Sequence, residues 1–206
     1  MFALIENQQI TKFYSGNKGV TLGDIQYPRS IFTLWSEAER NAIGIFEVTV
    51  DTTNKKDEQW YINTNVSYGV ESNKAVGSYG AATPKLLEDR NETNKDGSPM
   101  LDADGNQVVT KGLKSQKKDI IKQQAAGILQ DTDWYITRKA DAGTAVPSAV
   151  TTHRAAVRTK SNEMETSIDN ASDVDALATL YEYVNTGTEE NPVMERPLGE
   201  FPTLEI

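Results

Sequence analysis

The alternation of apolar and polar residues changes rhythm near the middle of this chain. Over residues 2–14 it is loosely two-fold. Phe2, Ala3, Leu4 and Ile5 precede a polar turn at Asn7, Gln8 and Gln9, and Ile10, Phe13 and Tyr14 follow it, which predicts a short hairpin. A turn-rich bridge through Gly16, Gly19 and Gly23 leads into YPRSIFTLWSEAERNAIGIFEVTV. There Ser36 stands three residues before Glu39, the spacing at which hydroxyl and carboxylate satisfy each other's backbone N–H groups. A short helix at about Ser36 to Ala42 is predicted, closed by Gly44, with Ile45 to Val50 resuming as a β-branched strand. Trp60 to Val70 mixes aromatic and β-branched residues with polar ones and predicts an antiparallel ribbon that pairs with the N-terminal hairpin. A turn of helix is expected at Lys85 to Asp89. Residues 91–111, dominated by Asn, Asp, Gly and Lys, predict an exposed hairpin arm with a tight turn at Asp104-Gly105 before Val108 and Val109.

Beyond this arm the period lengthens to that of a helix. Leu113, Ile120, Ile121, Ala125, Ile128 and Leu129 recur at three-, four- and seven-residue steps, predicting one helix from about Gly112 to Lys139 with Lys114, Lys117, Lys118 and Lys122 on its wet face. Pro147 suits the first position of a second helix, whose apolar line runs Val150, Val157, Met164, Ile168. Joined by Asp141 to Val146, the two form an antiparallel hairpin. A third helix is expected from Ser172, with Asp175 at capping-box distance and Val174, Leu177, Leu180, Tyr181 and Val184 on one side. Three prolines between Thr188 and Ile206 predict an extended tail. The fold class is therefore α+β: a small antiparallel N-terminal domain with a short helix (1–88), an exposed arm (89–111), a helical domain made of a hairpin and a third helix (112–184), and a C-terminal tail (185–206).

Composition narrows what such a chain can do. Lys and Arg number 21 against 30 Asp and Glu, a net charge of -9, and no segment concentrates cations, which argues against nucleic acid as a partner. The opening MFALIENQQITKFY has no positive start and continuous apolar run, and no stretch approaches a bilayer span, so a chain made and used in solution without membrane contact is expected. With no Cys there is no disulfide, thiolate metal site or Cys nucleophile. The one His, His153, has Val157 rather than a second ligand at i+4, and reads as a helix residue near a core face. No cofactor and no metal are expected.

The remaining constellations favour structure over chemistry. Asp102-Ala103-Asp104-Gly105-Asn106 lacks EF-hand spacing, with Gln107 where Gly is needed, and reads as a turn. Gly16, Gly19 and Gly23 lack the Gly-Lys-Ser/Thr ending of a phosphate loop. The pairs Asp131/Asp133, Glu163/Glu165 and Asp173/Asp175 are two apart, so on a helix they face different ways and read as solvated charges and caps. A glycoside hydrolase would need two carboxylates converging in a cleft, and no stretch concentrates acids and aromatics as a sugar subsite does. Trp35, Trp60 and Trp134 with their Tyr neighbours are amphipathic surfaces able to anchor partners or to close local cores, the core being favoured for Trp35.

Residues 129–158, LQDTDWYITRKADAGTAVPSAVTTHRAAVR, resemble the motif of the phage tail assembly chaperone and tail-fibre assembly families, through Thr132, Asp133, Trp134, Pro147, Arg154 and Arg158. His153 replaces the family's aromatic before the first Arg. Residues 27–46 are similar to a module near the start of small phage tail-region proteins, through Trp35, Ser36, Glu39, Ala42, Ile43, Gly44 and Ile45. The resemblance implies a non-enzymatic phage structural protein of the tail or tail-fibre region, an adaptor or attachment component in the virion that passes through the host cytoplasm during assembly. Its implied partners are other tail or tail-fibre proteins. The alternative is an assembly chaperone that leaves before the particle matures. Trp134, Tyr135, Arg154, Arg158 and Trp60 are the candidate partner-binding residues, although Trp134 could instead wedge between two antiparallel helices while the two Arg side chains pair with the acidic surface. The heptad-like line Val150, Val157, Met164 favours self-association, with a trimer as the candidate state.

Overall fold

The computed structural model describes residues 1–204 and has the expected α+β character. It divides into two compact units, residues 1–83 and the chain from Pro84 onward, so the arm belongs to the second unit.

In the first unit the hairpin forms as β1 (Phe2–Glu6) and β2 (Gln9–Tyr14), joined by a two-residue turn in which Asn7 and Gln8 both have positive φ. That geometry matches the right-handed twist of the strands. A small hairpin of β3 (Val20–Leu22) and β4 (Ile25–Tyr27) and a 3-10 turn (Arg29–Phe32) precede helix α1 (Glu37–Ala42). Its capping box is complete: Ser36 Oγ accepts from the Glu39 N–H, and the Glu39 carboxylate accepts from the Ser36 N–H at 2.8 Å. Gly44, at φ +82°, releases the chain into β5 (Ile45–Asp51). Val20, Ile31, Phe32 and Ile45 are buried together, with Trp35 and Tyr27 packed beside them in an edge-to-face pair at 5.9 Å.

The sheet corrects the sequence expectation twice. After the short β6 (Tyr61–Ile62), the ribbon is a hairpin of β7 (Ser67–Glu71) and β8 (Lys74–Ser78), turned by Ser72 and Asn73 at positive φ. The sheet order is β2-β1-β5-β8-β7, and β5 with β8 is parallel, so the sheet is mixed rather than antiparallel. Residues 52–66 are long enough for the crossover a parallel pair needs: they carry β7 to the far edge, and the turn then feeds β8 in beside β5. The ribbon therefore pairs with β5 and not with the N-terminal hairpin. It meets that hairpin through side chains, Phe13 against Tyr68 at 5.0 Å and Gln8 to Asn73 at 3.3 Å, so the two edge strands approach each other. This contact shields both edges.

In the second unit, beyond β9 (Thr83–Pro84) at the junction, no helical turn forms at 85–89. Asp89 instead accepts from the Gly112 N–H at 2.8 Å, capping the next helix. The arm is bounded by β10 (Arg90–Asn91) and β11 (Val109–Thr110) and is a miniature meander with turns at Gly97 and Gly105, both at positive φ. Glu92 N–H donates to the Val108 carbonyl, Val108 to Met100, and Met100 to Glu92, while the Gln107 amide reaches all three carbonyls at 2.7–3.1 Å. The turn at Asp104-Gly105 is present, with Asp102 accepting from the Asp104 and Asn106 N–H groups.

The single helix expected to Lys139 is two, α2 (Leu113–Gln130) and α3 (Asp133–Ala142). Helix α4 (Ser148–Asp169) starts one residue after Pro147, which is extended and serves as its cap, and runs antiparallel to α2: Lys118 meets Asp169, Lys122 meets Glu165, and Leu129 lies by Arg154. Val150, Val157, Met164 and Ile168 are at most 1% exposed. This line is buried within the chain's own core and is not a seam open to another copy. Lys114, expected to be wet, is only 8% exposed, because its ammonium sits at the C-terminus of α4, donating to the Asp169 carbonyl at 2.9 Å and to Glu88. Helix α5 (Val174–Thr179) is capped by Asp173 rather than Ser172. Val184 is not on it but in β12 (Val184–Asn185), paired with β13 (Met194–Glu195). The tail is not extended away from the unit: Leu198, 2% exposed, donates its N–H to the Leu180 carbonyl, and Arg196 pairs with Glu200 at 2.7 Å. Glu205 and Ile206, the last residues of the expected tail, lie outside the described residues.

Leu198→Ala should lower the stability of this unit by about 2–5 kcal/mol in urea titration, whereas Val193→Ala on the exposed hairpin should stay within about 0.5 kcal/mol. The carboxyls of Asp89, Asp102 and Asp173 are held below the ordinary 3.8, chiefly by the N–H groups of Gly112, Asn106 and Ala176. A lowered folded pKa contributes stability above the unfolded value and loses it as pH falls through the folded one. The urea midpoint should therefore hold above about pH 5 and decline progressively below about pH 4.

Candidate interaction surface

The break between α2 and α3 is built around one cation. Arg154, 8% exposed, donates through Nη1 to the Leu129 carbonyl at 2.7 Å and to Thr132 Oγ1 at 2.6 Å, and its Nη2 pairs with Asp133 at 2.8 Å. The Thr132 hydroxyl and N–H also donate to the Leu129 carbonyl, at 3.0 and 3.1 Å. That carbonyl would otherwise accept from Asp133 and continue α2. Saturated from three donors, it ends the helix, and the chain restarts with Asp133 in the first turn of α3, where a carboxylate also suits the helix dipole.

Helix α3 buries none of its ten residues. Trp134 is 50% exposed, its ring stacked on Tyr135 at 3.7 Å and 30°, and the Arg138 guanidinium lies over both rings at 4.8 and 5.5 Å. Ile136 is exposed as well. Gly143, at φ +69°, closes the helix with its N–H on the Lys139 carbonyl. An isolated helix of this length is marginal in water, so the Arg154 anchor, the glycine cap and the cation over the rings are what hold it.

The five residues singled out from the sequence do not act alike. Trp134 and Tyr135 are side by side on the exposed helix. The wedge reading of Trp134 is corrected: the ring lies outside the helix pair because the break turns α3 away from the α2–α4 seam. Arg154 lies beneath as an internal anchor and is not a surface contact. Arg158 is exposed one turn on, its Nη1 donating to the Arg154 carbonyl at 3.3 Å. Trp60 is in the other unit and only 6% exposed, so it is part of that unit's interior and offers no face to a partner. Sequence reasoning missed Arg138, although its spacing of four from Trp134 and three from Tyr135 on a helix is a signal for ring contact.

The paired carboxylates resolve into single roles: Asp133 on Arg154, Glu165 on Lys122 at 3.3 Å, Asp173 as a cap. Among the described residues no group of three or more carboxylates and imidazoles is placed to hold a metal ion. His153 is buried, as expected of a residue near a core face. It lines a cavity of about 310 Å3 with Ile128, Asp131, Thr132 and the tail residues Phe201 to Leu204. Among the described residues no helix is long and apolar enough to cross a membrane. No family model, no curated protein and no solved structure matches this chain, so its role is read from its own side chains.

Arg154→Ala should destabilise the second unit by about 2–3 kcal/mol, because it removes the charged hydrogen bonds to the Leu129 carbonyl and the Thr132 hydroxyl together with the ion pair to Asp133. Trp134→Ala should change stability by no more than about 0.5 kcal/mol. Paired urea melts check both, and a large loss for Trp134→Ala would put the ring back in a core.

Proposed function

We propose that this chain is a non-enzymatic bacteriophage structural protein of the tail or tail-fibre region, an adaptor that joins or positions other virion proteins. The observation that carries this reading is the way the residues of the tail-assembly resemblance work together. Arg154 fastens Thr132 and Asp133, and the residue that follows, Trp134, is thereby held out on a helix with no buried face. A stacked Trp and Tyr beneath an Arg has the composition of an interface hot spot, large in area and low in side-chain entropy. Two compact units on one chain suit a component with two attachments.

The partners are other tail or tail-fibre proteins, and the place of action is the virion, reached from the host cytoplasm. The arm does not discriminate between virion component and chaperone, since its backbone is satisfied internally and needs no partner to hold it. Mass spectrometry of purified particles decides between them. The chain is expected at a fixed ratio to the tail proteins, and Trp134→Ala should lower its incorporation while leaving the protein folded. Absence from mature particles, with presence in assembly intermediates, would replace the adaptor by the chaperone.

A further inference from the structure

We propose that the groove between the end of α2 and the first half of α4 is a docking site for an uncharged aromatic–proline–x–aliphatic segment of a partner protein, and that the chain's own Phe201 to Leu204 fills it as a displaceable self-ligand. This groove is distinct from the Trp134 face, and the inference does not rest on the tail-protein reading.

The tail is held in two stretches of different strength. Leu198 is buried and donates its N–H to the Leu180 carbonyl, and Glu200 pairs with Arg196 and accepts from the Tyr183 hydroxyl. After Glu200 the polar anchors stop. Among the described residues Phe201 to Leu204 make no hydrogen bond through main chain or side chain. Phe201, Pro202 and Leu204 are nevertheless half-buried, and Thr203 is exposed. Side-chain contact alone seats this segment, so it can leave without breaking a main-chain ladder, while Leu198 stays in place.

The groove is also wider than its occupant. Open cavities flank the segment: one of about 310 Å3 between Ile128, Thr132 and His153 and the tail, one of about 430 Å3 between Ala149 and Ala156 of α4 and Pro202 to Leu204, and one of about 490 Å3 from Gly127 to Phe201. His153, 7% exposed, lines the first two, and its Nδ1 has no hydrogen-bond partner. Buried polar atoms are normally matched, so a segment that leaves one unmatched with open space on either side is an incomplete fit that a better-filling segment can replace. The seated residues state the chemistry of that partner. Phe201 to Leu204 carry no charge, and beside the paired Arg196 and Glu200 the charge lining the groove is Asp131, which disfavours an acidic segment. Pro202 fixes its own φ and biases Phe201 to an extended backbone, so a segment of this pattern has little entropy to lose on docking.

Peptide competition in the full chain tests this, with the one histidine as reporter: His153 gives a single imidazole signal in NMR spectra. The probe is a synthetic peptide of residues 199–204, capped at both ends, and the control carries Ser in place of its Phe and Leu. Phe201→Ala with Leu204→Ala should move the His153 signal while the circular dichroism spectrum stays unaltered. The peptide should then shift that signal saturably. Half-saturation should need about tenfold less peptide in this variant than in the wild type, where the tethered tail competes at an effective concentration on the order of millimolar. Phe201→Ala alone is a second variant for the same comparison, with the aliphatic contact intact. Equal half-saturation in wild type and variants, no saturable shift in a folded variant, or an equal shift from the control peptide would overturn the proposal. So would sedimentation velocity in which the wild type associates and the double variant does not, because the tail of a second copy would then be the occupant. Presence in or absence from particles bears on the adaptor reading alone and leaves this groove as it is.

Discussion

A guanidinium placed below the protein surface must find acceptors for its N–H groups, and Arg154 finds them in the one stretch where two helices could have been one. Its partners are a main-chain carbonyl, a buried hydroxyl and a carboxylate that remains half open to water. Removing water from a charge is costly unless it is paired and hydrogen-bonded, so once Arg154 is buried by the antiparallel seam of α2 and α4, the break at Asp131 and Thr132 is the arrangement that satisfies it. The direction of α3 and the exposure of Trp134 follow from that break. The proposed surface is thus fixed from below, by a residue that is itself buried.

The same economy of polar groups governs the segments that look loose in sequence. Arm and tail are short of apolar residues, yet both are ordered, and in each case side chains close the account that a sheet or helix ladder would otherwise close. Gln107 gathers three carbonyls in the arm, Asp96 and Asp102 hold its turns, and Asn185 binds two N–H groups in the tail hairpin. Carboxylates that resemble cation ligands by spacing are occupied by N–H donors. The tail adds a hydrophobic anchor, Leu198, and a clamp in which Arg196 lies near the rings of Tyr181 and Tyr183 while pairing with Glu200.

An adaptor reading fits this economy. Many of the described charges are caps, staples and seam ions, and the cluster of Trp134, Tyr135 and Arg138 on α3 is among the surfaces the second unit leaves uncovered. Interfaces draw on such uncovered hot spots more than on area, and a rigidly held Trp–Tyr–Arg cluster keeps the entropic cost of docking low.

Local rules were legible from residue order alone. The capping box of Ser36 and Glu39, the hairpin around Asn7, the turn at Asp104-Gly105, the Gly44 stop and the helical line Val150, Val157, Met164, Ile168 are set by residues a few positions apart, and all are present. What residue order could not decide depends on residues far apart. The break after α2 needs Arg154, twenty-five positions beyond Leu129. The burial of Lys114 needs the carbonyl of Asp169. The parallel β5–β8 pair needs a strand to arrive by a crossover, and the return of the tail needs Leu180 to meet Leu198. A periodic apolar pattern says which face of a helix is buried, but the same heptad line serves an internal core or a second copy equally well. Only tertiary packing assigned it to the core, and the same packing left Trp134 of α3 exposed.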